Sequence, residues 1–82
     1  MTDLEDKLID CFSAVFPKRS RDEIRIADRD SMEEWNSLTG IMLVAVVQQE
    51  LKVEIDVMDL GQLGSFRSML LYVSERLQTD GH

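Results

Sequence analysis

Few side chains in this chain have types and spacing suited to chemistry. The one thiol, Cys11, stands far in sequence from the one imidazole, His82. A thiolate nucleophile needs an adjacent base, and terminal residues are seldom held in place. Neither a Cys/His catalytic pair nor a Cys/His metal site is therefore expected. A single cysteine also excludes an internal disulfide, so Cys11 is expected to fill a small core position. The run Asp28-Arg29-Asp30-Ser31-Met32-Glu33 opens like a calcium loop. It lacks the required glycine, and Met32 stands where a third oxygen ligand belongs; a solvated acidic loop is the expectation. Glu33 and Glu34 are adjacent carboxylates of the kind used in acid/base work, but nothing in the sequence builds a pocket to raise their pKa. There remains the hydroxyl of Ser37, in Glu33-Glu34-Trp35-Asn36-Ser37-Leu38. Asn36 and Ser37 are both good helix caps, and a long apolar run follows. A serine there faces outward, beside N–H groups that the helix leaves unpaired, where the backbone dipole is positive. The plain alternative is an N-cap serine with no further task.

The elements that must position this hydroxyl are legible from periodicity. Leu4, Leu8, Cys11, Phe12 and Val15, with Ile9 and Phe16 beside them, predict a helix over residues 3–16. Thr2 and Glu5 have capping-box spacing, and Pro17 blocks continuation. Residues 17–36 read as a long polar connection, pinned to the core by Ile24, Ile26, Met32 and Trp35. Core packing is the expected fate of Trp35, an anchor for a partner being the alternative. The basic cluster Lys18, Arg19 and Arg21 is followed at once by Asp22 and Glu23 and reads as a solvated loop. A second helix is predicted over 37–52; a buried strand over Ile41–Val47 is the alternative, and the length of the run favours helix. That run is apolar almost all round, unusual for a helix with one wet face. Val53-Glu54-Ile55-Asp56 alternates and reads as an extended link, and Val57–Leu63 as a short helical turn. Ser65 caps a last helix over 65–77, with Phe66, Met69, Leu70, Val73 and Leu77 as its stripe. The expected fold is all-α: a small four-helix bundle, three longer helices plus one short, forming a single domain over residues 1–78 with a flexible tail at 79–82.

Size and charge narrow the function classes. With 82 residues there is room for one core and little for a deep cleft. The net charge of −7 repels nucleic-acid backbones and anionic membranes and draws basic protein surfaces. A helix-turn-helix DNA binder is disfavoured on that ground. No apolar run approaches the roughly 20 residues of a membrane span, and the acidic start Met1-Thr2-Asp3-Leu4-Glu5-Asp6 is unlike a secretory leader. The expectation is a cytoplasmic monomer without nucleic-acid or membrane partners.

In the stretch Asn36-Ser37-Leu38, the apolar helix after it and then Glu50-Leu51-Lys52-Val53-Glu54-Ile55, the chain resembles the acyl carrier protein family. That family carries an Asp-Ser-Leu motif at the start of its second helix. The likeness runs through nearly the whole chain, with helices, long loop, motif and link in the family's order. It implies a non-enzymatic carrier whose Ser37 is esterified by 4′-phosphopantetheine derived from coenzyme A, with Asn36 and Leu38 as motif neighbours. The arm's thiol would hold acyl or aminoacyl groups as thioesters for fatty-acid or specialised secondary-metabolite biosynthesis. The implied partners are a phosphopantetheinyl transferase and acyl- or aminoacyl-transferring and chain-modifying enzymes. A phosphodiester on Ser37 would sit in the positive field of the helix start, worth about 0.3–1 kcal/mol when exposed.

Two departures from the family bear on recognition. Asn36 replaces the aspartate, removing a charge beside the phosphate while capping the helix as well. Thr39 to Gln49 contain no acidic residue where family members usually place several. The expected recognition face is apolar, built from Leu38, Met42 and Ala45, with Glu33, Glu34, Glu50, Glu54 and Asp59 as its rim. The plain alternative for Met42 is packing within the bundle. The alternative for the whole chain is an unmodified helical interaction module using the apolar second helix.

Overall fold

The computed structural model describes residues 3–80. Its elements are α1 (Asp3–Val15), α2 (Arg21–Arg25), α3 (Ser37–Leu51), a 3₁₀ helix (Val57–Gln62) and α4 (Phe66–Asp80). No strand is present among the described residues; the only β-type pairing is a single bridge between Asp28 and Ser65. The all-α reading stands, with one addition. The connection predicted as a loop contains the five-residue α2, so the bundle has a fifth helical segment. Ser20 caps it: its hydroxyl accepts from Glu23 N–H (3.1 Å), and the Glu23 carboxylate accepts from Ser20 N–H (2.8 Å). This is the reciprocal Ser-x-x-Glu arrangement that satisfies two orphan donors of a helix start.

The core is one cluster to which each of the four α-helices contributes, with Leu60 of the 3₁₀ helix packed against it. Leu8, Ile9, Cys11 and Phe12 come from α1, Ile24 from α2, Leu43 and Val47 from α3, and Phe66, Met69 and Val73 from α4. Its aromatic centre is Phe12, which meets Trp35 and Phe66 edge-on at centroid distances of 5.4 and 5.2 Å. Such edge-to-face pairs each add about 0.5–1.5 kcal/mol beyond area burial. Trp35 is therefore a core residue, only 4% exposed. Ile24 and Met32 are buried with it, as predicted. Ile26 is not: it is 82% exposed. The α2 turn aims Ile24 inward, and a residue two positions further on a helix faces away.

Each end of the connection is tied down. Arg29 N–H donates to Gly64 O (2.8 Å) and Phe66 N–H to Ala27 O (3.0 Å), stitching the loop to the start of α4. The Arg19 guanidinium grips Glu34 through both oxygens, at 2.8 and 3.0 Å. Arg21 pairs with Asp10 and Asp6 on α1, at 3.0 and 3.4 Å. Arg19 and Arg21 thus fasten the connection while staying open to solvent, in keeping with the solvated loop expected of that cluster.

α3 stops at Leu51 because Lys52 turns left-handed (φ 55°, ψ 45°). The following link alternates as expected, Val53 and Ile55 inward, Glu54 and Asp56 outward. Val57–Gln62 forms the predicted short turn, capped by Asp56 accepting from Met58 N–H (2.9 Å). Ser65 does cap α4, its hydroxyl accepting from Ser68 N–H (3.1 Å). α4 runs to Asp80 and takes in Thr79 and Asp80, assigned above to the tail. No proline or glycine interrupts the helix before Gly81. Thr2, His82 and the end of the tail lie outside the described residues.

Candidate functional site

α3 begins at Ser37, and Asn36 is its N-cap. The Asn36 side-chain oxygen accepts from Leu38 N–H (2.9 Å) and Thr39 N–H (3.1 Å). Thr39 reciprocates: its hydroxyl accepts from Asn36 N–H (2.8 Å) and donates to Glu34 O (2.6 Å). The expectation that the first N–H groups of this helix are unpaired is therefore corrected. Asn36 occupies two of them, and the Ser37 N–H is the one left without an acceptor among the described residues.

Ser37 itself is exposed, and its hydroxyl bonds to no other described residue. Beneath it Trp35 is locked into the aromatic cluster, and before it Glu34 is clamped by Arg19. The hydroxyl thus stands on a rigid pedestal, free on its outer side. The clamp is robust to acid. The Arg19 hydrogen bond above all, with backbone hydrogen bonding next, holds the Glu34 carboxyl down at about 2.

Ser37 forms part of the rim of a hollow of about 200 Å³. Arg29 and Trp35 from the connection, Gly40 and Val44 from α3, and Leu60 and Gly61 from the 3₁₀ helix line it. A second, mostly apolar groove lies between α3 and the 3₁₀ helix, with Ile41, Ala45 and Val57 on its walls.

The predicted recognition face is exposed. Leu38 is 68% and Met42 48% accessible, and Ala45 is open to solvent. Met42 thus faces outward and does not pack inside the bundle. Ile41 and Val57 are exposed beside them, Met58 is exposed next to Val57 in the chain, and none of the three was foreseen. Ile41 could have been: Leu38, Ile41, Met42 and Ala45 follow the i, i+3, i+4, i+7 rule of a single helix face. Of the predicted rim, Glu33, Glu50 and Glu54 are exposed. Glu34 is spent on Arg19. Asp59 accepts from the Tyr72 hydroxyl (2.6 Å) and from Arg76 (3.3 Å), fastening the 3₁₀ helix to α4.

The remaining candidates do little at this site. Cys11 is buried, and burial, with Glu50 and Asp10 nearby, pushes its thiol up to about 11. Such a thiol carries almost no thiolate and is a poor nucleophile. Asp28 accepts from Asp30 N–H (2.7 Å) and its carbonyl from the Ser31 hydroxyl (3.1 Å), an ordinary turn. Among the described residues no group of three or more His, Cys, Asp or Glu side chains could hold a metal ion. No helix among them is long and apolar enough to cross a membrane.

Comparison with known proteins finds no match: no family model fits the chain, and neither a curated protein nor a solved structure matches it. What the fold and the site define is a class by geometry alone: a small all-helical domain presenting one free serine hydroxyl at a capped helix start, beside an apolar face.

Proposed function

We propose that this chain is a carrier domain, its Ser37 esterified by the 4′-phosphopantetheine of coenzyme A. The observation that carries the reading is the Ser37 hydroxyl: exposed, unbonded, and set at the first position of α3 on a rigid support. The residues fit such an arm. The Ser37 N–H is unspent and can donate to a phosphodiester oxygen, and the neutral Asn36 leaves the positive end of the helix uncancelled. When attached, the arm supplies a terminal thiol that holds an acyl or aminoacyl group as a thioester. The protein's own residues present the attachment point and offer partners a docking face. Bond making belongs to those partners, a phosphopantetheinyl transferase and acyl- or aminoacyl-transferring enzymes among them.

The docking face of this reading is Leu38, Ile41, Met42 and Ala45 on α3, joined by Val57 across the groove. Its charges are confined to the edge, so partner affinity should fall only gently as salt rises. A steep loss of affinity across a salt series contradicts that part of the reading.

The test of the whole is direct. The protein is incubated with coenzyme A and a phosphopantetheinyl transferase and weighed intact. A gain of one phosphopantetheine that is absent in Ser37→Ala supports the carrier. No gain with several transferases favours the second reading, an unmodified interaction module. The exposed apolar residues of α3 and the 3₁₀ helix would then be its working surface.

A further inference from the structure

The hollow beside Ser37 contains a donor that no described residue engages. Trp35 is 4% exposed, yet no described residue accepts a hydrogen bond from its indole Nε1–H. Its nitrogen is not sealed in apolar surroundings, since no buried side-chain nitrogen among the described residues is left unpaired. The Nε1 edge lies against Gly40 on the wall of the hollow: a Cβ built on Gly40 would sit 3.6 Å from it. Arg29, an exposed residue whose main chain is tied to Gly64, lines the same hollow. Its guanidinium packs over Gly64 and has no carboxylate partner among the described residues. Ile41, Val44 and Leu60 supply hydrocarbon to the same lining.

A cavity lined by hydrocarbon and a few hydrogen-bond donors fits an organic chain carrying acceptors. An all-hydrocarbon chain would cover the indole N–H without giving it an acceptor, which is unfavourable. We propose that this hollow is a subsite for a carbonyl-bearing chain tethered at Ser37, with Trp35 Nε1–H donating to a carbonyl oxygen and Arg29 as the second, charged donor. The tether rests on the carrier reading; the donors themselves do not. The carbonyl has two sources, the amides of the arm or an oxygenated short acyl cargo such as a β-keto group. A carbonyl subsite favours oxygenated short cargo over saturated chains of equal length.

The chain has one tryptophan, so its indole N–H gives a single resonance. That resonance is followed by ¹H–¹⁵N NMR in the unmodified, arm-bearing, butyryl-loaded and acetoacetyl-loaded protein. The expected result is a downfield shift and several-fold slower exchange with water. If the shift appears with the arm alone, the arm's amides are the ligand. If it appears only with acetoacetyl and not with butyryl, the cargo's keto group is. In both cases Arg29→Gln should reduce the effect. An arm independent of any transferase uses Ser37→Cys, coupled through methanethiosulfonate reagents bearing either a propyl or an amide-ended tail. The buried Cys11 thiol reacts too slowly to interfere. An indole resonance unmoved by every tethered carbonyl overturns the subsite, even where Ser37 accepts the arm. A shift with the amide tail but no transferase modification retains the subsite and sinks the carrier reading instead.

Discussion

Asn36 is the residue on which the placement of Ser37 turns, and three substitutions separate its roles. Its side chain satisfies two orphan N–H groups, those of Leu38 and Thr39, at 2.9 and 3.1 Å. Asn36→Ala removes that acceptor and returns both donors to water, since the site is exposed. Loss of a good N-cap costs about 0.5–2 kcal/mol, typically near 1. For a domain of this size each kcal/mol moves Tm by about 4–8 °C. The Thr39 half of the reciprocal pair survives, because the Thr39 hydroxyl binds the Asn36 backbone, so the loss belongs at the middle of the range. Asn36→Ser retains an acceptor and should stay near wild type. Asn36→Asp keeps the geometry and adds a negative charge at the positive end of α3. It should stabilise by about 0.3–1 kcal/mol at low salt, and less at high salt. Thermal unfolding followed by circular dichroism at two salt concentrations reads all three. The order Asp, Asn, Ser, Ala is the expected result. An Asn36→Ala protein as stable as wild type would refute the assignment of Asn36 as the cap, and with it the argument that Ser37 is held at the first helical position.

Gly40→Ala should raise stability by about 1 kcal/mol, because Gly40 lies inside α3 and a methyl there meets only ordinary contacts at 3.6 and 3.9 Å; a fall in Tm would show that the Trp35 indole cannot spare the room. Lys52→Gly should stabilise as well, since Lys52 alone among the described non-glycine residues holds a positive φ, 55°, and glycine adopts it freely; a urea midpoint below that of wild type would contradict it. Glu34, held at about 2 by Arg19, should stay ionised well below its ordinary 4.5. Because its folded pKa is the depressed one, the clamp's contribution is complete above the unfolded value and disappears as pH falls through about 2. Carboxyl ¹³C titration checks this, and Arg19→Gln should raise the Glu34 titration toward the ordinary range, the backbone hydrogen bonding still holding it somewhat below.

Much of this architecture could be read from spacing. The stripes of α1 and α4 announce their helices because long periodic runs bury one face against the rest. The α3 run was harder, since its residues are apolar on both the core side and the side of Leu38 and Met42. Length resolved helix against strand there, but not which face was wet. The short α2 was legible and passed over: Ser20 and Glu23 have capping-box spacing. A five-residue helix is too short to show a period. The end of α4 slipped because no residue before Gly81 stops a helix, and an apolar stripe ending at Leu77 does not oblige the backbone to end with it. The hollow beside Ser37 was out of reach, since its walls come from segments far apart in the chain. Arg29, Gly40 and Gly61 become neighbours only once the loop is stitched to α4 and the 3₁₀ helix is clasped to Tyr72.

Those fastenings explain why so small a chain devotes twenty residues or so to a connection, when most in compact domains run about 4–6 residues. The segment is not slack. Its charged residues tie it to α1 and to itself, its main chain borrows an acceptor and a donor from the start of α4, and its last aromatic completes the core. What emerges from it is a polar step, Asn36-Ser37, delivered to the tip of a helix that is apolar without a break from Ile41 to Val47. A chain selected only to fold would be better served by a polar outer face on α3, since exposed Leu38, Ile41 and Met42 invite association. Keeping that face apolar, immediately below an unbonded hydroxyl, makes sense if something docks there and acts at the hydroxyl. On the carrier reading proposed above, the apolar face and Ser37 serve one function. Substitutions such as Met42→Gln should weaken the partner reaction at Ser37 while leaving the fold, and the hydroxyl itself, in place.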